Sequence, residues 1–415
     1  AAAGLVLGSG AASARPSVAR SYARNERLRV GVIGCGGRGT GAAVDALTAS
    51  DGVEISALGD VFPERIESCR SGLEQLPTEL KQRVAVDGSR VFTGFDAYRG
   101  VIGSGVDVVI LATPPGFRPG HFAAAVEAGK HVFMEKPVAV DGPGVRTVLA
   151  AAERAAAQRL SVVAGTQRRH ERCYLEAMER LRGGAIGAVR SARVYWNQGG
   201  LWVNARQPAW SDMEWQLRNW LYFAWLSGDH IVEQHVHNLD VANWAIGATP
   251  VRCTGMGGRQ VRTDAAYGHI FDHFAVEYEY PGGVVVNSMC RQIDGCAGRV
   301  EEVIVGTQGV MVTASGRARI EGERAWRFEG ENGNPYVHEH ADLVAAIRSG
   351  TPLNEGKRIA ESTLTAIMGR MSAYSGKTVT WEQALNSPVD LMPRNLAFGP
   401  LPTPAVAVPG RTPIG

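Results

Sequence analysis

Long apolar runs are missing from this chain: no uninterrupted stretch reaches the roughly 18 residues a membrane-crossing helix needs, so no transmembrane segment is predicted. Charge of one sign is missing too. Forty-three basic and 41 acidic side chains leave a formal net charge of +2. No region gathers the excess into a basic stripe, which argues against nucleic acid as a partner. Cysteine is sparse, and the six present (Cys35, Cys69, Cys173, Cys253, Cys290 and Cys296) form no CxxC pair. That spacing supports neither a disulfide framework nor a zinc ribbon. Cys290 and Cys296 lie near enough in sequence to approach each other, but free thiols in a core are the expected state.

What is present fits a packed two-domain protein. At 415 residues the chain exceeds the size at which one core stops growing, and 45% hydrophobic with 20% charged residues suits a soluble fold. The opening AAAGLVLGSGAASA carries no charge before Arg15. It reads as the apolar and small-residue portions of an export signal whose charged start is absent, or as a plain N-terminal arm. A periplasmic or secreted location is the expectation, with the cytoplasm as the alternative.

The first ordered unit is predicted at Leu28–Ile33, a Val/Ile-rich strand of the type buried on both faces of a parallel sheet. Gly34, Gly36 and Gly39 follow at GxGxxG spacing around Gly37 and Arg38, and residues 40–47 read as helix. This pattern gives a tight turn, close backbone approach to a pyrophosphate, and an anion site at the helix start. A second strand over 53–58 runs into Asp60, placed to accept from the adenosine ribose hydroxyls and to repel a 2'-phosphate. No arginine follows immediately, so NAD is expected over NADP. Strand 106–112 is ended by Thr113, Pro114 and Pro115, and strand 131–134 by Glu135, Lys136 and Pro137. Both loops fall at the carboxyl edge where ligands of open parallel sheets bind. The bland alternative for Glu135 and Lys136 is a surface ion pair.

Beyond Gly187 the texture changes to long alternating segments, at 189–196, 271–280, 284–289 and 300–305, which predict a mostly antiparallel sheet with one covered face. Helices are expected at 338–348 and 359–374. The expected fold class is therefore α/β: an N-terminal Rossmann domain over 28–137 and a C-terminal α/β domain over 138–385 carrying substrate binding, catalysis and oligomerisation. The late helices are expected to pack back on the first domain. Residues 1–27 form the leader, and 386–415, with seven prolines, an extended arm. Subunits pairing over the open sheet predict a homo-oligomer, a dimer or tetramer.

The densest chemistry is GDHIVEQHVHNLD at 228–240. If 220–244 runs as one helix, Glu233 and His237 share a face at i,i+4, and the carboxylate would raise the proton affinity of the imidazole, as a general base needs. His230 would border the same cleft, while His235 falls on another face, for structure or substrate contact. Metal binding by Glu233, His235 and His237 competes. His-x-His suits a strand, however, and on a helix the rings diverge by about 200 degrees, so no metal is expected. Trp196 opens an unusually aromatic stretch to Trp225, whose flat rings suit a pyranose face or a hydrophobic clamp.

These anchors resemble the Gfo/Idh/MocA oxidoreductase family from Arg29 to about Leu385: GVIGCGGRG at 31–39, TPP at 113–115, EKP at 135–137 and His237-Asn238-Leu239-Asp240, with GTQRRH at 165–170 and NEGKRIAESTL at 354–364 in support. The resemblance implies that the second domain is built on a large open sheet and that a small carbohydrate or cyclitol substrate binds between the domains. It also implies a Lys136 that touches nicotinamide and the reacting hydroxyl, and a His237 that exchanges the hydroxyl proton. Glu233 stands where relatives often carry aspartate, which leaves the substrate open. Arg168, Arg169, His170 and Tyr174 are expected to contact substrate hydroxyls. Exported members of the family imply a twin-arginine signal and tightly bound NAD(H).

Three readings follow. The first is an NAD-dependent oxidoreductase acting on a hydroxyl of a sugar, glycoside or cyclitol. The second is a redox-assisted glycoside hydrolase or lyase using NAD catalytically, with Glu233, His235 or Tyr174 as an additional base. The third is a carbohydrate-binding protein that has lost catalysis.

Overall fold

The computed structural model describes residues 26–414, so nearly all of the expected 1–27 leader lies outside the described residues. Two sheets organise the described residues. The first has six strands, β1 (Leu28–Ile33), β2 (Val53–Asp60), β3 (Val91–Thr93), β4 (Val108–Leu111), β5 (His131–Met134) and β6 (Val162–Ala164). All are parallel in the order β3-β2-β1-β4-β5-β6. The order in which strands are added reverses between β1 and β4, and that switch point opens a crevice at the carboxyl ends of the strands. Two glycines build it. Gly34 has φ +96°, and a Cβ there would lie 2.6 Å from the Ala112 carbonyl carbon and the Thr113 nitrogen, while a Cβ on Gly39 would collide with Gly34 O. The helix that follows begins earlier than expected, at Gly37, and runs to Ala49.

The boundary expected at Pro137 is corrected by β6, which pairs with β5 and carries the first sheet to Ala164. Its three residues, Val162, Val163 and Ala164, are fully buried. A strand this short leaves no periodic signal and is held by its neighbours rather than by its own propensity.

The second sheet has nine strands: β7 (Val189–Gln198), β8 (Arg252–Gly258), β9 (His273–Glu279), β10 (Val285–Gln292), β11 (Arg299–Gly306), β12 (Gly309–Ala314), β13 (Arg317–Gly322), β14 (Trp326–Arg327) and β15 (Val379–Thr380). They run in the order β14-β13-β12-β11-β7-β10-β9-β8-β15, antiparallel except for β7 beside β10. In β10 the residues Val286, Ser288, Cys290 and Gln292 are buried while Asn287 and Met289 are exposed, so one face is covered and the other open.

Helix Gly356–Ser375 lies under the covered face and packs on both β8 and helix Gly142–Ala157 of the first domain. Burial on nearly every side explains its weak amphipathic pattern. One hydrophobic cluster runs through it, from Val132 and Val162 of the first sheet to Val276 and Ile304 of the second. Helix Pro335–Ser349 returns to the first domain and sets Leu343 and Ile347 against the β1 side of that sheet. Cys290 is buried and Cys296 exposed, and both are free thiols.

Candidate active site

The carboxyl edge of the first sheet faces a cavity of about 600 Å³ lined by Gly36, Thr113, Glu135 and Lys136 on one side and Trp196, Glu233 and His237 on the other. Glu135 and Lys136 follow β5, but they do not pair with each other at a surface. The Arg38 guanidinium, at the start of helix Gly37–Ala49, donates to Glu135; it also reaches Asp45 at 3.1 Å and the buried Glu339 at 3.2 Å. Burial works against the Arg38 charge, yet Glu135 and Glu339 outweigh it and hold its pKa above the ordinary guanidinium value. Burial, with Glu135 nearby, pushes the Glu339 carboxyl well up.

Lys136 extends across the gap between the domains. Its Nζ donates to Glu233 O at 2.6 Å and Glu233 Oε1 at 2.8 Å. Glu233 is therefore spoken for by the lysine, and the expected support of His237 by the carboxylate four residues before it is corrected. The helix assumed for 220–244 is broken: Gly228 and Asp229 have φ +78° and +73°, and helices His230–Glu233 and Val236–Ile246 are separate. The His237 ring stacks on Trp196 with centroids 5.8 Å apart, and its Nδ1 is buried with no partner among the described residues. Burial, reinforced by the charges of Lys136, Arg168 and Arg38, holds the imidazole well below its usual pKa. It is a neutral acceptor of protons rather than a resident cation.

Several residues expected at the substrate are held elsewhere. Arg168 is buried and bonds Glu302 of β11 at 2.7 Å; Tyr174 OH, Thr313 and Asn238 complete the shell of that carboxylate at 3.0, 2.7 and 2.7 Å. The hub sits behind Trp196, whose ring lies 5.4 Å from the Arg168 guanidinium carbon. Arg169 grips Asp240 through two bonds of 2.8 and 3.0 Å, joined by Arg358 and Ser362. Burial alone would raise the Asp240 carboxyl, but Arg169 and Arg358 outweigh it and hold it at about 2. His170 bonds Asp342 at 2.6 Å with Glu355 at 3.6 Å; against the opposing effect of burial, these carboxylates raise its pKa to about 9. His235 Nε2 bonds Ser288 at 2.7 Å inside the core, and burial pushes it down to about 3. His230 packs edge-on against Phe274, fully buried. None of these six lines the cavity; Arg118, Gln167, Asn204 and Tyr336 do. Arg118 had a local signal, since it starts the helix after the Thr113-Pro114-Pro115 loop. Tyr336 had none, because helix Pro335–Ser349 brings it back from far along the chain.

A narrower cavity of about 100 Å³ adjoins the first, sharing Gly36, Arg65, Thr113, Pro114 and Trp220 with it and adding Gly34, Asp60, Phe62 and Phe95. The residues fit a dinucleotide. Helix Gly37–Ala49 has no side-chain N-cap and no acid in its first turn, so its free N–H groups are open to a diphosphate. Asp60 is fixed by Cys35 N at 2.7 Å on one oxygen and Phe62 N at 2.9 Å on the other. Each oxygen keeps a lone pair for a ribose hydroxyl. Burial raises the Asp60 carboxyl, partly offset by those N–H donors. Arg65, five residues after Asp60, reaches this cavity from helix Pro63–Glu74, although no arginine follows the acid immediately in sequence.

Comparison with known proteins agrees with this geometry. Residues 28–163 match the oxidoreductase family with an NAD-binding Rossmann fold, Gfo/Idh/MocA, and residues 174–312 match the Gfo/Idh/MocA C-terminal domain. The chain is 27% identical over 324 residues to an inositol 2-dehydrogenase of Acidothermus cellulolyticus, covering 78% of this chain and 82% of that one. Its fold is similar to scyllo-inositol dehydrogenase from Lactobacillus casei with bound NAD(H) and scyllo-inositol, at TM-score 0.66, 18% identity, and coverage of 86% and 99%. It is equally similar to a levoglucosan dehydrogenase in complex with NADH and levoglucosan, with the same score, identity and coverage. The chain belongs to the Gfo/Idh/MocA family of NAD(H)-dependent oxidoreductases.

Proposed function

We propose that this protein oxidises a secondary hydroxyl of a sugar, glycoside or cyclitol. The observation that carries the reading is the meeting of Lys136, Glu233 and a neutral His237 in one cavity with the glycine turn. NAD+ held along Gly34–Gly39 and Asp60 supplies the hydride acceptor. Lys136 donates to the substrate oxygen and stabilises the negative charge that grows there. His237 takes the hydroxyl proton; its lowered proton affinity keeps the ring unprotonated and then releases that proton readily. Glu233 orients the lysine, and Trp196 backs the imidazole and offers an apolar face to a ring.

Inositol and levoglucosan dehydrogenases among the relatives support a cyclic polyol as the substrate class. The composition of residues 1–14 supports export, and an exported enzyme has reason to retain its nucleotide. The open face of the nine-stranded sheet, where Met256 and Met289 are exposed, supports pairing of subunits there. The test is a panel of glycosides and polyols mixed with protein of known nucleotide content, followed by absorbance at about 340 nm and by mass spectrometry. Accumulation of reduced nicotinamide with a keto product supports the reading. Cleaved glycoside with no net change in the cofactor would replace it with redox-assisted elimination.

A further inference from the structure

Residues 390–401 of the proline-rich arm cross from the first domain to the second, with Phe398 packed on two residues that line the narrower cavity. Leu391 N donates to Asp141 Oδ2 at 2.8 Å, which ties the segment to the first domain. At its far end Met213 N donates to Gly399 O at 3.1 Å, Leu401 N donates to Asp212 Oδ2 at 3.1 Å, and Gln216 Nε2 donates to Leu401 O at 2.7 Å. Those partners lie in helix Asp212–Arg218 of the second domain. Between the two anchors sits Phe398. Its ring stacks on Phe62 with centroids 5.9 Å apart and tilts against Phe95 at 5.4 Å, yet half its surface is exposed.

Phe62 and Phe95 are themselves walls of the cavity that Asp60 enters, and Leu217 and Trp220 of the second domain form its other wall. Phe62 also supplies one of the N–H groups that aim Asp60. Arg218 fastens the same corner, lying 4.0 Å over the Phe62 ring and bonding Glu64 at 2.6 Å. A separate hydrophobic cluster joins Phe62 and Phe117 of the first domain to Leu217 and Trp225 of the second, with Leu391, Met392 and Leu401 of the arm packed against it. The arm thus bridges the two domains on the adenosine side of the cleft, remote from Lys136 and His237.

We infer that residues 390–401 form a latch on the nucleotide, with Phe398 as its pin: the dinucleotide leaves only when this ring lifts from Phe62 and Phe95. The inference rests on the reading that the cleft holds NAD(H). Phe398 is a positioning residue that acts through Phe62 and Phe95 and touches none of the reacting groups. Phe398 is itself half exposed, which suits a part that opens.

The test measures release of NADH from the full-length protein by stopped-flow fluorescence with excess ADP-ribose as the trap, beside thermal unfolding of the nucleotide-free protein. Phe398→Ala is expected to speed release about tenfold, as the loss of two aromatic contacts implies, and to leave the apo unfolding midpoint near that of wild type. Phe398→Trp restores slow release. A truncation ending at Asp390 speeds release further; if it fails to fold, the point variants still decide the matter. Unchanged release in Phe398→Ala overturns the latch, as does faster release matched by a fall in apo stability that Phe398→Trp does not repair. A wild-type protein that binds no NADH overturns the latch and the cofactor assignment together, whereas slow NADH release with no oxidation of any polyol leaves the latch standing and removes only the substrate reading.

Discussion

The two ends of the cleft are built by opposite means. At the adenosine end Asp60 is held by two backbone N–H groups among aromatic rings, with no buried polar atom of that wall left over among the described residues. At the reacting end cations and carboxylates alternate as Arg38–Glu135 and Lys136–Glu233, and His237 carries an unpaired ring nitrogen. An end that is already satisfied can bind but has nothing left to spend on a changing charge. An end with an exchangeable ion pair and an open acceptor can respond as charge develops. Uniform binding therefore belongs to the first and transition-state stabilisation to the second.

Substitutions separate the two. Lys136→Ala should lower kcat by about 10³-fold, because a part-buried donor to a developing oxyanion is lost, while the Kd for NADH measured by fluorescence titration stays within a few-fold of wild type. Equal losses in both would place the lysine in uniform binding and erase the contrast. His237→Asn should lower kcat by about 10²-fold or more, the range for loss of a general base. The sign of its pH dependence follows from the depressed pKa: protonation removes the acceptor, so kcat/KM of the wild type should hold steady as pH falls to 6.5 and decline only below it. A midpoint at or above 6.5 would mean that another group sets the profile.

A third substitution probes what lies behind the reacting end. Arg169→Ala strips one partner from the buried Asp240 and should cost about 3 kcal/mol of stability by denaturant unfolding, with kcat of the folded fraction little changed. A large fall in kcat at full stability would return Arg169 to the substrate. Asp60→Ala gives the smallest effect, a rise of about tenfold in the Kd for NAD+ with kcat at saturation preserved.

The same contrast explains what could be read from the chain. The adenosine end was legible because its parts are local: Gly34, Gly36 and Gly39 impose a turn, and Asp60 closes the adjacent strand. Lys136 was legible in the same way, at the end of β5. The alternation of β7, β9, β10 and β11 declared a half-covered sheet. What failed was inference from density. The density of histidines suggests that His230 borders the cleft, but Gly228 and Asp229 break the helix and His230 lies in the core; His235 is in the core as well, in the structural one of its two expected roles. Arg168, Arg169 and His170 look available to substrate in the sequence because their partners are remote: Glu302, Asp240 and Asp342 lie 134, 71 and 172 positions away. A buried charge whose partner is that distant in sequence looks free. The arm was recognisable as extended from its prolines, while its seat beside Phe62 and Phe95 depends on which surface the second domain leaves bare.

The most direct test of the account is a crystal structure of the protein with NAD+ alone, which needs no knowledge of the substrate. The prediction is a diphosphate over the start of helix Gly37–Ala49, a ribose on Asp60 and a nicotinamide ring beside Lys136 and His237. A nicotinamide directed away from those two side chains, with the nucleotide otherwise bound, would contradict it.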